Sequence, residues 1–278
     1  MLNVPLGRSK SALKVLGSSY VARQKQEHGL PWGLLGSRGR KKAKPRAPAG
    51  ERIYAVGDVH GRADLLLALL CRIDADLSAR PIGDAVQVFL GDYIDRGPDS
   101  RRVIDLLIDR QRQHKVLCLK GNHELYAIQA LNEPSVMSEW LKMGGIATLL
   151  SYGVRPPTND GDLRAQREAA AAFHRALPES HHHFLLHLAP SFSYGDYFFA
   201  HAGVRPDVSL QHQYEGDLLW IRDDFLLHEE DFGKVVVHGH TPAPEPDIRT
   251  NRINIDTGAY ATGRLTCLVL ENDQMRFL

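Results

Sequence analysis

Five short stretches put metal-binding residue types behind apolar runs: "VGDVHG" at 56–61, "FLGDYIDRG" at 89–97, "LKGNHE" at 119–124, "FFAHAG" at 198–203 and "VVHGHTP" at 236–242. In the first, Asp58 and His60 are two residues apart, so extended geometry through Val59 turns both side chains to one face. Gly57 and Gly61 let the backbone turn sharply on either side. A carboxylate oxygen and an imidazole nitrogen held together suit a divalent cation. Alone, Asp58 serves equally well as the cap of the helix in "HGRADLLLALLCRI". Repetition decides between the two readings. Ligands of open α/β sheets gather beyond the carboxyl ends of strands, so five such endings can converge on one site.

Sorted by chemistry, these residues suit two metals. Asp58, His60 and Asp92 hold one ion; Asp92, Asn122, His201 and a histidine of "VHGH" hold the other, with Asp92 as the bridge. A carboxylate has two oxygens with spare lone pairs and can serve both ions. Two ions roughly 3.5–4 Å apart activate water and stabilise in-line displacement at phosphorus. The mixed oxygen and imidazole set favours manganese, with iron or zinc as alternatives, over calcium. Each residue also has a plainer role. Asp92 and Asp95 suit a turn before "RGPDS", and Asn122 suits a helix cap. His201 alone would be a satisfied buried histidine, and Arg222 has Asp223 and Asp224 beside it as surface partners. Glu124 reads as a support for the ligands, not as one of them. The run "HHHF" at 181–184 is internal and starts a helix, so it is given no metal role.

These groups must be positioned by short β-branched runs: "RIYAVG", "VQVFLG", "KVLCLK", "DYFFAH", "KVVVHG", "RINID" and "RLTCLVLE". Helical patterns follow the first three and fill much of 137–188. Strand then helix, repeated early, implies βαβ units with partly parallel pairing. The late strands, closely spaced with turn residues between them, suggest antiparallel additions and a second sheet. Residues 1–49 hold eleven Lys or Arg against one acid, Glu27, and read as a basic, flexible arm joined to a domain over 50–278. Its charge fits an acidic partner, nucleic acid or an anionic membrane surface. No run is long and apolar enough to span a bilayer, and no secretory signal opens the chain, so a cytoplasmic protein is expected. Cys71, Cys118 and Cys267 read as buried reduced thiols.

"GDVHG", "GDYIDRG", "GNHE", "HAG" and "GHTP", in this order, resemble the metallophosphoesterases, and within them the phosphoprotein phosphatases. The similarity covers residues 52–270. The eukaryotic "HGG" and "SAPNY" stretches are absent, whereas "HAGVRP", "LLWIRDDFL" and "INIDTGAYATGRLTCLVL" look like the bacterial and bacteriophage branch. The resemblance implies a two-sheet α/β sandwich flanked by helices, with the metal site at strand carboxyl ends. It selects His240, the histidine before Thr-Pro, over His238. It makes His123 the general acid, Asp95 the group that orients it, and Arg96 and Arg222 the phosphate clamp. The implied reaction is direct attack by a metal-bridging hydroxide, without a phosphoenzyme. Serine/threonine protein phosphatase is the first expectation, with a phosphoprotein as substrate. Dinucleoside polyphosphate hydrolase, as in the diadenosine tetraphosphatases, is the alternative, and an inactive phosphoprotein-binding scaffold is a third reading.

Overall fold

The structure is a computed structural model that describes residues 44–159 and 161–278. In chain order it contains β1 (Glu51–Val56), α1 (Ala63–Ala79), β2 (Asp84–Phe89), α2 (Ser100–Gln113), β3 (Lys115–Cys118), α3 (Asn122–Asn132), α4 (Met137–Trp140), α5 (Ile146–Ser151), α6 (Leu163–Ala176) and α7 (Glu179–Leu186). There follow β4 (Ser191–Tyr194), β5 (Tyr197–Ala200), α8 (Glu215–Trp220), α9 (Asp223–Leu226), β6 (Val235–His238), β7 (Asp247–Ile248), β8 (Arg252–Asn254), α10 (Ala259–Thr262), β9 (Cys267–Glu271) and β10 (Gln274–Phe277).

Ten strands make two five-stranded sheets, ordered β10-β9-β1-β2-β3 and β4-β5-β6-β8-β7. The centre of each is parallel: β1 with β2 and β2 with β3 in the first, β5 with β6 and β6 with β8 in the second. Strand alternation then divides the core. Ile53 and Ala55 of β1 and Val88 of β2 meet Phe199, Val237 and Ile253 between the sheets, while Tyr54, Val56 and Phe89 face the helical layer with Leu66, Ile73 and Val103. On the outer face of the second sheet, Phe198 and Val236 pack against Leu218, Ile221 and Phe225. The result is an α/β two-sheet sandwich with helices outside. Its two sets of parallel strands bring their carboxyl ends together.

Three expectations change. The late strands β5, β6 and β8 pair in parallel, and only β4 and β7 are antiparallel additions to the second sheet. The connections between them hold irregular segments and short helices, which resemble hairpin turns in a linear reading. Cys71 is exposed, unlike Cys118 and Cys267. The buried residues of α1 are Ala63, Leu66, Leu69, Leu70 and Ile73, and Cys71 falls on the opposite side of that helix. The expected arm lies outside the described residues up to residue 43, but its last residues pack on the domain. Ala47 is buried and its N–H donates to Asn272 O at 2.8 Å, and Arg46 N–H donates to Asp196 Oδ2 at 2.9 Å.

Candidate metal centre

Every metal-ligand residue expected from the sequence lies just past a parallel strand. β1 delivers Asp58 and His60, β2 delivers Asp92, β3 is followed by Asn122 at the start of α3, β5 delivers His201, and β6 delivers His240. All six are buried. Backbone strain concentrates here. His60, Asp92, Asp95, Arg96 and His240 have φ of 45°, 51°, 72°, 66° and 64°, a region that non-glycine residues adopt rarely and at a cost. Crowding fixes the neighbours too: Gly91 has φ 108°, and a Cβ there would sit 2.7 Å from Gly121 N.

Asp92 stands at the middle. Its Oδ1 lies 3.4 Å from His201 Nε2 and its Oδ2 lies 3.5 Å from His60 Nε2. The Nδ1–H of His60 donates to Ile94 O at 2.9 Å and that of His201 to Leu90 O at 3.0 Å, so each Nε2 carries a lone pair. Burial lowers both imidazole pKa values, that of His60 to about 3, against the pull of Asp92. Neutral rings therefore turn lone pairs toward carboxylate oxygens. Asn122 Oδ1 extends the pattern at 2.8 Å from His201 Nε2, and on its other side it accepts the Nδ1–H of His240 at 3.0 Å, which leaves the His240 Nε2 lone pair free. Acceptors facing acceptors repel unless a cation lies among them. Two such groups form, His60 with Asp92 and His123, and Asp92 with His201 and His240.

Asp58 is set somewhat apart. Its Oδ2 accepts the His240 N–H at 3.0 Å, and its Oδ1 is buried with no partner, as is His240 Nε2. Burial, then the charges of Asp256 and Asp92, push the Asp58 carboxyl well above its ordinary range. Three buried carboxylates and orphaned acceptor atoms are a donor set that lacks positive charge, and divalent cations fit it.

His123 and Asp95 form a second arrangement beside the first. His123 Nδ1 donates to Asp95 Oδ2 at 2.7 Å. Asp95 is held in turn by Trp140 Nε1–H at 2.9 Å and by the Thr148 hydroxyl at 2.5 Å, and its own N–H donates to Ser100 Oγ. Burial lowers the His123 pKa, but the Asp92 and Asp95 carboxylates outweigh it, and the net shift is upward. Arg96 Nη2 donates to His123 Nε2 at 3.1 Å, which engages that lone pair. Arg96 also lies over the Tyr260 ring at 4.8 Å, and the Tyr260 ring meets the edge of His60. Arg222 is exposed at the start of α9, and its guanidinium has no hydrogen bond or ion pair among the described residues, so Asp223 and Asp224 do not claim it. Trp220, two residues before it, places its ring 6.0 Å from that of His240.

Glu124 supports the centre: its carboxylate accepts N–H groups from Asp92 and Gly121, both at 2.9 Å, and from Tyr93 at 2.7 Å. His238 faces Phe225 instead of the centre, and His181 bridges Tyr152 and Asp105. Sequence reasoning missed Asp256, which follows β8 in the same parallel set and is pushed up to about 6, mainly by burial. The strand-end rule itself was the signal that would have found it. Nothing local marks Trp140 or Thr148, which reach Asp95 from 45 and 53 residues away.

Residues 51–269 match the calcineurin-like phosphoesterases. The chain belongs to that family. Among its relatives is the bis(5'-nucleosyl)-tetraphosphatase PrpE (asymmetrical) of Anoxybacillus flavithermus, 26% identical over 234 residues, which are 77% of this chain and 88% of that protein. Serine/threonine-protein phosphatase 1 of Salmonella typhimurium is 32% identical over 222 residues, 77% of this chain and 89% of that one. A solved structure of a mutant cold-active protein tyrosine phosphatase superposes with a TM-score of 0.53, covering 84% of this chain and 80% of the other; at 17% identity the likeness is one of fold. Calcineurin-like phosphoesterases use divalent metals, and the donor set just described suits them. No described helix is long and apolar enough to cross a membrane.

Proposed function

We propose that this chain is a metal-dependent phosphomonoesterase that acts on phosphoserine and phosphothreonine in proteins. The carrying observation is the hydrogen bond from His123 Nδ1 to Asp95, with Asp95 itself immobilised by Trp140 and Thr148. An alkoxide is a poor leaving group and needs a proton as it departs; a nucleotide phosphate leaves without that help. A buried imidazole whose pKa is raised by two carboxylates suits the first task.

Two divalent ions held by Asp58, His60, Asp92, Asn122, His201 and His240, manganese before iron or zinc, supply charge neutralisation and activation of the nucleophile. The protein's own groups do the rest. Arg96 and Arg222 take the phosphate oxygens, for which a guanidinium offers paired planar donors. Moving Arg96 onto the phosphate frees His123 Nε2 to take up a proton from water, which the Asp92 and Asp95 carboxylates favour. Asp95 holds the Nδ1 proton, and the Nε2 proton passes to the departing serine or threonine oxygen.

Hydrolysis of a dinucleoside tetraphosphate is the second reading, supported by relatives such as the PrpE enzyme. Turnover by the manganese-loaded protein on phosphoserine, phosphothreonine and phosphotyrosine peptides, beside diadenosine tetraphosphate, separates the two. Preference for the serine and threonine peptides is expected. A strong preference for the dinucleotide overturns the first reading.

A further inference from the structure

On the outer face of the second sheet, away from the strand-end centre, a cavity of about 760 Å³ opens between the end of α9 and the β7–β8 turn. Leu226, Leu227 and Ile248 give it an apolar wall, and Leu227 and Ile248 are 78% and 46% exposed. Its floor holds a buried cation. Arg252 is only 8% exposed, yet its guanidinium is poorly partnered: Nε is buried with no hydrogen bond, Nη1 reaches Asn251 Oδ1 at 3.4 Å, and Nη2 stands 3.8 Å from Asp247 Oδ2. The other oxygen of Asp247 is engaged by Arg249 Nε at 2.8 Å. Burial lowers the Arg252 pKa, against the pull of Asp247, as expected for a charge short of hydrogen bonds. On the remaining side, the guanidinium faces the Phe225 ring at 5.9 Å.

A buried guanidinium is ordinarily satisfied by several acceptors, and leaving one short of them is costly. The wall supplies one more carboxylate, Glu229, on an exposed residue, and one more cation, Arg249, whose Nε is already engaged by Asp247. A single buried charge at the base of an apolar-walled recess is the arrangement of a small-molecule site. We propose that this cavity is a second ligand site, for a small molecule whose anionic group pairs with Arg252 and whose apolar body lies against Leu226, Leu227 and Ile248. A carboxylate and a phosphate-type head both meet the guanidinium with paired oxygens. None of the residues lining the cavity belongs to the centre around Asp92.

Calorimetric titration of the full chain with sodium hexanoate, hexylphosphonate and hexanol tests this. One or both anions are expected to bind, and the uncharged alcohol is not. The preferred anion shows whether the site takes a carboxylate or a phosphate-type head. Arg252→Met should weaken anion binding by roughly tenfold or more, because a charge-assisted pair is lost. Leu227→Ser, at an exposed position where the fold does not depend on the side chain, should weaken it roughly threefold through lost apolar contact; it carries the test if Arg252→Met does not fold. Asp92→Asn should leave binding unchanged, which separates this site from the metal centre. No binding by either anion, equal binding of hexanol, binding retained in both cavity variants, or binding lost in Asp92→Asn overturns the proposal.

Discussion

Glu124 holds Asp92 in place by accepting its backbone N–H at 2.9 Å. The same carboxylate also receives the N–H groups of Tyr93 and Gly121, so one side chain at the start of α3 clamps the loops after β2 and β3. Burial and then the Asp92 charge push this acid up to about 8, while the N–H donors oppose the shift. The clamp explains how Asp92 keeps a φ of 51° and presents one oxygen to His60 and the other to His201.

Glu124→Gln puts an NH2 group where the carboxylate accepted N–H groups, so donor faces donor. Loss of a support of this kind typically costs roughly 10–100-fold in metal affinity or activity. Manganese titration of the variant should show that loss for at least one ion, with the far-ultraviolet circular dichroism unchanged. Unchanged affinity would mean that Asp92 is positioned by its own loop.

Metal binding should depend on pH through the carboxylates. Without cations, Asp58 is raised well above its ordinary range and Asp256 to about 6, so the folded protein holds protons there that a metal must displace. The imidazoles add no such requirement, since burial keeps His60 near 3 and His240 near 2, already neutral at pH 5.5. The sign follows: a raised carboxyl binds its proton more tightly in the metal-free fold, so the rise in Tm given by manganese should grow as pH increases through about 6. Using the increment between loaded and stripped protein cancels the unfolded state. The check is Tm with and without manganese at pH 5.5 and pH 8, where an equal or smaller increment at pH 8 would contradict the assignment.

Much of the fold was legible because the residues that build it are the ones that end in the site. β1, β2, β3, β5, β6 and β9 are mostly apolar runs, and all but β9 precede a polar residue of the centre. The strands left unread lie at or next to the sheet edges. β10, "QMRF", is largely exposed, β4 has little buried side chain, and β7 is two residues long. Edge strands bury little, so hydrophobic pattern carries little information about them. Asp58, His60, Asp92, Asn122, His201 and His240 were readable from type and place, but the tight group around His60 contains His123 in place of Asp58. That exchange depends on where Asp58 sends its oxygen, to the His240 N–H 182 residues away, and no local pattern encodes it.

The amino-terminal boundary gives a sharper test than composition did. Removing residues 1–43 should leave turnover of a small aryl phosphate unchanged, as expected of a solvated basic arm. Removing residues 1–49 also deletes the buried Ala47 and three hydrogen bonds: Arg46 N–H to Asp196 Oδ2, Asp196 N–H to Arg46 O, and Ala47 N–H to Asn272 O. Three hydrogen bonds at about 1 kcal/mol each would cost roughly 3 kcal/mol, several degrees in Tm for a domain of this size. Equal Tm values for the two truncations would show that residues 44–49 contribute nothing.

The role of His123 can be tested through the leaving group. Protonation matters most when the departing oxygen is an alkoxide, as from phosphoserine, and least when it is a stabilised nitrophenolate. A placed acid typically contributes ~10²–10⁴ in rate, so His123→Asn should lose about that much on phosphoserine peptides and clearly less on nitrophenyl phosphate. Asp95→Asn should show the same selectivity more mildly, because Trp140, Thr148 and Ser100 still hold the loop while the partner of Nδ1 is weakened. Metal content separates this role from its rival. His123 Nε2 stands 3.7 Å from Asp92 Oδ2, within the same tight group as His60, so the site's shape alone would also allow it as a ligand. A general acid leaves two ions per chain when it is removed; a ligand takes one with it. Equal losses on both substrates together with a lost ion would assign His123 to the metals, and the proton donor would then have to be sought among the other groups that face the leaving oxygen.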